Sequence, residues 1–144
     1  MRAILMLSAL LIAAVSAAAT ENVPATLYKN PSCTCCDAYA NYLRANGFDV
    51  AVIEHPNMTL IKQQHGVGEK LKGCHTTIIK DYVVEGHVPL GAIKRLLTEK
   101  PAIKGISLPG MAEGSPGMSG TTDGPFEILS IPGKDGPPEV FAME

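Results

Sequence analysis

Three of the four cysteines lie within four positions of one another, at Cys33, Cys35 and Cys36, and the fourth is Cys74. Cys33 and Cys36 form a C-x-x-C pair, a spacing that occurs in redox enzymes, zinc sites and structural disulfides. Thiolate sulfur is a nucleophile, a disulfide partner and a soft metal ligand. Three kinds of chemistry are therefore open to this segment.

The residues around the cysteines predict a strand followed by a helix. Residues 25–29 alternate as in a short strand, and the Asn-Pro-Ser sequence then interrupts the pattern. Apolar residues follow at helical spacing from Cys36 to Leu43, and Asn46-Gly47 is a typical helix end. The first three cysteines are therefore predicted at the carboxyl end of a strand and the start of a helix.

The order of predicted elements indicates an α/β protein. After the first strand and helix come a strand at 48–55 that is apolar enough to be buried between layers, a short helix capped by Asn57, a hairpin at 75–86 and a helix from Pro89 to residue 100. This βαβαββα order predicts a thioredoxin-like domain over residues 25–100.

Residues 101–144 form a C-terminal extension that is rich in Gly, Pro and Met. The tripeptide Pro-Gly-Met occurs twice, at 109–111 and 116–118. The apolar segments near the end of the chain predict a terminal β-hairpin. Residues 102–125 are assigned no regular structure, because their composition is too polar for a core.

The N-terminal sequence predicts export. Residues 1–19 combine Arg2, an apolar run and small residues that suit a cleavage site, which is typical of a secretory signal peptide rather than a stable membrane anchor. With a formal net charge of −2 and no Trp, the chain of 144 residues is a poor candidate for nucleic-acid binding. We therefore expect one exported domain, with no nucleic-acid partner.

Topology predicts that distant residues meet. In this fold the third strand lies antiparallel beside the first, which brings Cys74 to the edge where the other cysteines lie. His87 follows the fourth strand and reaches the same edge. His75 comes directly after Cys74 and reaches the same edge, but its side chain is expected to point to the opposite face and to be structural. His55 and His65 are expected outside the site.

Two metal-free interpretations compete. In a thiol-disulfide oxidoreductase Cys33 would attack and Cys36 would resolve, but the cis-proline usual in thioredoxin-type enzymes is missing near Cys74. Cys35 and Cys74 would also be spare thiols beside the redox pair. Alternatively, disulfides Cys33–Cys36 and Cys35–Cys74 would form in the metal-free oxidised protein.

A metal site uses all four cysteines. Adjacent helical residues point roughly 100° apart, so Cys35 and Cys36 chelate one ion poorly and favour a cluster of several ions. Cu(I) prefers thiolate, thioether and imidazole ligands, and four thiolates balance the charge of about four Cu(I) ions. His87, as a ligand or proton relay, and the thioethers of Met111 and Met118, as a lid, are further candidates.

Four segments together resemble the CopG-type periplasmic copper-resistance proteins: YKNPSCTCCDAYANYLRANGF, GCHTTIIKDYVVEGHVP, AIKRLLTEKP and GISLPGMAEGSPGM. The resemblance covers about residues 26–119. Members of that family usually carry Trp where this chain has Tyr39. The tail after Gly120 lies outside the resemblance.

The resemblance implies a periplasmic, thioredoxin-like copper protein that works beside copper exporters and other periplasmic copper proteins. It implies that the four cysteines hold copper, with redox cycling between Cu(I) and Cu(II). The sequence thus predicts a Cu(I)-binding protein of copper resistance, and the alternative is a thiol-disulfide oxidoreductase that uses Cys33 and Cys36. Whether the protein is an enzyme, namely a copper-dependent oxidoreductase, stays open, because the sequence shows no electron partner.

Overall fold

Seven strands form one mixed sheet in the computed structural model, which describes residues 21–134 and 136–144. The strands are β1 (Val23–Lys29), β2 (Phe48–Glu54), β3 (Thr76–Ile79), β4 (Tyr82–Glu85), β5 (Gly105–Ser107), β6 (Glu127–Ile131) and β7 (Val140–Met143). The helices are α1 (Thr34–Ala45), α2 (Met58–Gln64) and α3 (Leu90–Glu99). The α/β class predicted from the sequence is confirmed.

The strand order is β2-β1-β3-β4-β5-β6-β7. β1 is parallel to β2 and antiparallel to β3, and β3 is antiparallel to β4. In the register of these strands Tyr28 faces Thr76, and Thr76 faces Glu85. The carboxyl end of β1, the start of β3 and the end of β4 therefore meet at one edge of the sheet.

The core is built from apolar faces at helix and strand spacing. In α1 the residues Cys36, Tyr39, Ala40 and Leu43 are all fully buried. They belong to one cluster with residues from the central strands and from α3, such as Ile93. Burial of each large aliphatic side chain contributes about 1.5–3 kcal/mol. This packing fixes the direction of α1, and with it the position of the cysteines at its start.

The prediction that β2 is buried between layers is wrong. β2 lies at the edge of the sheet, and its burial alternates only in its first half, where Phe48 and Val50 are buried. Ile53 near its end is 42% exposed. One face of the strand is therefore covered and the other faces solvent, a distinction that a continuous apolar run hides.

The extension adds three strands to the sheet. β5 runs parallel to β4, in the region for which no structure was predicted, and β6 and β7 pair antiparallel as the terminal hairpin. A Cβ on Gly105 would lie 1.8 Å from the carbonyl oxygen of Val83, so β5 requires glycine at its first position. β5 was not predicted, because a segment of three residues is too short to show the alternation of a strand.

The predicted signal peptide at residues 1–19 lies outside the described residues. In the part of the chain that is described, no helix has the length and apolar character needed to cross a membrane.

Candidate metal centre

The four cysteine sulfurs converge at the edge of the sheet described above. Their Sγ atoms all lie within 4.8 Å of one another, so the predicted convergence is confirmed. The Sγ of Cys74 lies 3.0 Å from that of Cys33, 3.3 Å from that of Cys36 and 3.4 Å from that of Cys35. The Sγ of Cys33 also lies 3.4 Å from that of Cys35, so the four sulfurs form one compact group.

The structure shows the cysteines in a partly oxidised state. Cys33 and Cys36 are joined by a disulfide, whereas Cys35 and Cys74 are free thiols. The first of the two disulfides considered from the sequence is thus present and the second is not. Cys33 occupies the N-cap of α1, and Cys35 and Cys36 lie in its first turn, where the helix dipole favours thiolate.

Lys29 holds the cysteine loop against α1. Its ammonium group donates hydrogen bonds to the Cys33 carbonyl oxygen at 3.3 Å and to the Asp37 carboxylate at 3.0 Å. The hydrogen bond to Asp37 raises the pKa of Lys29, against the effect of its burial. A permanent positive charge therefore lies beside the loop that carries three of the four sulfurs.

Close backbone packing positions Cys74. A Cβ on Gly73 would lie 2.6 Å from the Gly86 Cα, and a Cβ on Gly86 would lie 2.4 Å from the Leu108 carbonyl oxygen. Gly86 also has a φ of +75°, which side-chain-bearing residues rarely adopt. Three segments of chain therefore touch backbone to backbone next to Cys74, which leaves its loop little freedom to move.

A buried polar network lies beneath the same loop. The Glu85 carboxylate, with no exposed surface, accepts hydrogen bonds from the Lys62 ammonium, from the Gly73 N–H at 2.8 Å and from the Thr76 hydroxyl at 2.7 Å. The Lys62 side chain is 6% exposed. Sequence reasoning missed this network, because neither residue belongs to a recognisable motif and their separation along the chain is 23.

Burial of the Cys74 thiol controls its protonation. It raises the pKa of Cys74 to about 12, and the neighbouring Cys35 acts in the same direction. The positive charge of Lys62 opposes this effect, although it does not overcome it. Cys74 is therefore a neutral thiol in the described state, and a metal ion that binds it must displace the proton.

Two histidines and Tyr39 form an aromatic cluster beside Cys74. The ring centroids of Tyr39 and His75 lie 4.5 Å apart, and those of His75 and His87 lie 4.7 Å apart. One ligand atom each from Cys74, His75 and His87 lies within 4.8 Å of the others. His87 thus reaches the predicted edge.

The prediction that His75 points away from the site is wrong. It assumed the alternation of a strand, but β3 begins only at Thr76, so Cys74 and His75 precede the strand and are free of that alternation. The adjacent Cys-His pair was the available signal. His65 stacks on Tyr28 with ring centroids 5.7 Å apart, and His55 accepts a hydrogen bond from a backbone N–H, both apart from these ligand groups.

A family model and two solved structures resemble this chain. A family model described as "Protein of unknown function, DUF411" matches residues 71–118. The solved structure of the copper resistance protein CopG, form 2, superposes with a TM-score of 0.78 at 32% sequence identity, covering 86% of this chain and 99% of that chain. The chain belongs to the CopG family. Form 1 of CopG gives a TM-score of 0.77 at 32% identity, over 86% of this chain and 98% of that one. No curated protein matches.

The C-terminal extension packs against the site, and its two candidate methionines differ in how deeply they are buried. The Pro116 carbonyl oxygen accepts a hydrogen bond of 2.7 Å from the His87 ring, and a Cβ on Gly117 would lie 2.8 Å from the Tyr39 nitrogen. The second Pro-Gly-Met therefore lies over α1, with Met118 partly buried. Met111, in the first Pro-Gly-Met, is 57% exposed.

Proposed function

We propose that this protein is a periplasmic copper-binding protein of copper resistance, which holds several Cu(I) ions in a cluster with four cysteine thiolates. The observation that carries the proposal is the convergence of the four Sγ atoms within 4.8 Å. Thiolate is a ligand that Cu(I) prefers. The CopG proteins of the same family are described as copper resistance proteins, which agrees with that ligand set.

The arrangement of the sulfurs favours more than one ion. Cys33 and Cys74 each lie within 3.4 Å of the other three sulfurs, so all four sulfurs can reach the same group of ions once the disulfide is reduced. Four thiolates around a single Cu(I) would leave an uncompensated negative charge in a half-buried site. About four Cu(I) ions would balance that charge.

The rest of the chain positions the cysteines, covers them and adds ligands. The sheet and helices of residues 25–100 serve as a thioredoxin-like core that carries the cysteines, and residues 101–144 serve as an extension that covers them. His87, Met111 and Met118 supply further nitrogen and sulfur ligands. Met118 is the stronger methionine candidate, because its segment is fixed to His87 through Pro116.

Export and partners complete the proposal. A signal peptide at residues 1–19 would deliver the protein to the periplasm, where it would exchange copper ions with copper exporters or other periplasmic copper proteins. Loss of one electron from a bound Cu(I) to an external acceptor, such as dioxygen, would give Cu(II). A site with both thiolate and imidazole suits the two oxidation states.

Anaerobic reconstitution tests the proposal. The mature protein is reduced, loaded with Cu(I) in the presence of a competing chelator, desalted and analysed for copper, with Zn(II) as the competitor in a parallel sample. We expect tight binding of several Cu(I) ions per chain and new absorption when air is admitted. A colourless protein that binds Zn(II) tightly and Cu(I) weakly would contradict the proposal.

A second function has one observation in its favour, the disulfide between Cys33 and Cys36 at the start of α1. In a thiol-disulfide oxidoreductase a substrate thiolate attacks one of these sulfurs, and the other leaves as a thiolate. A second substrate thiol then resolves the mixed disulfide. The substrate is oxidised by two electrons and the Cys33–Cys36 pair is reduced.

Serine variants separate the two functions. An oxidoreductase that relies on Cys33 and Cys36 retains its activity in Cys35→Ser and Cys74→Ser and loses it in Cys33→Ser. A copper cluster loses copper stoichiometry in each of these three variants. Copper analysis and a disulfide-exchange assay on the same preparations decide between them.

A further inference from the structure

We propose that Cys74, His75 and His87 form a nitrogen-sulfur site for a divalent metal ion, which overlaps the copper cluster at Cys74 and His87 and adds His75 to the ligands. The choice of Cu(II) as its ion rests on the proposed copper function. The existence of the site does not, because it follows from the buried imidazoles described below.

The burial of the His75 ring supports this site first. Its side chain has no exposed surface, and within the described residues neither ring nitrogen has a hydrogen-bond partner. A buried polar group without a partner loses its hydration and gains nothing in return. An imidazole with two such nitrogens, and with a ligand atom within 4.8 Å of Cys74 and His87, is suited to bind a metal ion.

His87 supplies the second nitrogen. Its Nδ1 donates a hydrogen bond of 2.7 Å to the Pro116 carbonyl oxygen, so in the neutral ring Nε2 carries the free lone pair. That Nε2 is buried and has no partner among the described residues. Metal-binding histidines commonly have this arrangement, in which a carbonyl oxygen holds one nitrogen and so orients the other.

The geometry allows one ion to bind all three residues. One ligand atom from each lies within 4.8 Å of the others. Metal-ligand bonds of about 2.0–2.3 Å place the ligand atoms of one ion at most about 4.5 Å apart, so a small rotation of the rings is sufficient. Tyr39 supports both rings, with centroid distances of 4.5 Å to His75 and 5.3 Å to His87, and its own hydroxyl is bound to the Val88 carbonyl oxygen.

The oxidation state of the cysteines separates this site from the cluster. The disulfide between Cys33 and Cys36 removes two sulfurs from the four-cysteine set and none from the set of Cys74, His75 and His87. Two imidazoles and one thiolate suit Cu(II) and other divalent ions better than an all-thiolate set does. The partly oxidised protein therefore keeps a site for a divalent ion when its Cu(I) site is incomplete.

Cobalt(II) provides the first test, because it reports sulfur ligation by its absorption and does not oxidise thiols. The mature protein is kept in the disulfide form without reductant and titrated anaerobically with Co(II). We expect one equivalent to bind, with a sulfur-to-cobalt charge-transfer band. His75→Phe should abolish that binding, because Phe keeps a ring against Tyr39 but has no nitrogen.

Matched variants protect this test from a folding artefact. His65→Phe changes a histidine that also stacks on a tyrosine but lies outside the two ligand groups, and it should bind Co(II) like the wild type. Cys74→Ser leaves both imidazoles in place and should remove the charge-transfer band even where His75→Phe is unstable. Equal Co(II) binding by the wild type and a folded His75→Phe would overturn the proposal. That result is expected if a buried water, rather than a metal ion, satisfies the ring nitrogens of His75.

Copper(II) provides the second test. In a Cys35→Ser background the Cys33–Cys36 disulfide remains possible and Cys74 has no neighbouring thiol to oxidise. The EPR spectrum of added Cu(II) should show hyperfine coupling to two nitrogens, and His75→Phe should lose this two-nitrogen signal as it loses Co(II) binding. A spectrum without nitrogen coupling would overturn the assignment.

Cu(I) loading of the reduced protein keeps the two proposals apart. If the reduced wild type binds several Cu(I) ions but its disulfide form binds neither Co(II) nor Cu(II), the nitrogen-sulfur site is wrong and the cluster stands. If the disulfide form binds Co(II) through His75 but the reduced form does not bind Cu(I), the nitrogen-sulfur site stands and the cluster is wrong.

Discussion

The buried pair of Lys62 and Glu85 offers a sharp test of how the site is supported. Glu85 has no exposed surface and accepts hydrogen bonds from the Lys62 ammonium and from the N–H of Gly73, the residue before Cys74. Lys62→Met removes the cation that compensates the carboxylate and keeps most of the side-chain volume. The carboxylate then stays buried without its counter-charge.

The expected cost follows from this burial. Removal of one partner from a buried ion pair destabilises proteins by about 3–5 kcal/mol, whereas replacement of both partners is often close to neutral. We therefore expect Lys62→Met to lower the free energy of unfolding by about 3–5 kcal/mol. The double variant Lys62→Met/Glu85→Gln should cost clearly less than the sum of the two single variants.

Urea unfolding of the disulfide form, followed by far-UV circular dichroism, measures these values. Lys72→Met is the matched control, because its ion pair with Glu69 involves a carboxylate side chain that is 80% exposed. That control should cost less than about 1 kcal/mol. A Lys62→Met variant as stable as the control, or a double variant whose cost equals the sum, would refute the reasoning.

Three further predictions concern the cysteines, the extension and the methionines. Each of the four single cysteine-to-serine changes should lower the copper content of the reduced protein, as measured by metal analysis. A loss of copper in only two of the four variants would contradict a cluster shared by all four cysteines. Gly105→Ala should destabilise the fold by about 1–3 kcal/mol in thermal unfolding, since its Cβ would meet the Val83 carbonyl oxygen. Gly124→Ala, with open space around its Cβ, should be close to neutral. Met118→Leu should weaken Cu(I) binding more than Met111→Leu in a chelator competition, and equal effects would argue against a fixed Met118 ligand.

The convergence of the cysteines was predictable because it depends on topology. Once β3 is placed antiparallel beside β1, Cys74 must lie near the start of α1 whatever the details of packing. The buried face of α1, with Cys36, Tyr39 and Leu43, also follows from helical periodicity. The periodicity of the helices and strands was therefore enough to predict that the four sulfurs converge.

Other features depend on contacts that no local pattern encodes. His75 was assigned to the wrong face because the exact start of β3 decides whether strand alternation applies. β5 has three residues and owes its place to the space around Gly105. Glu85 and Lys62 come into contact only in the folded protein, and neither residue belongs to a sequence motif that would indicate its partner.

X-ray absorption at the copper edge tests the central claim most directly. The reduced mature protein is loaded anaerobically with Cu(I), and the extended fine structure is recorded. A cluster held by the four cysteines predicts a coordination shell dominated by sulfur together with a short copper-copper distance. A copper site with a shell of nitrogen or oxygen, or a sulfur shell without any copper-copper scattering, would contradict it.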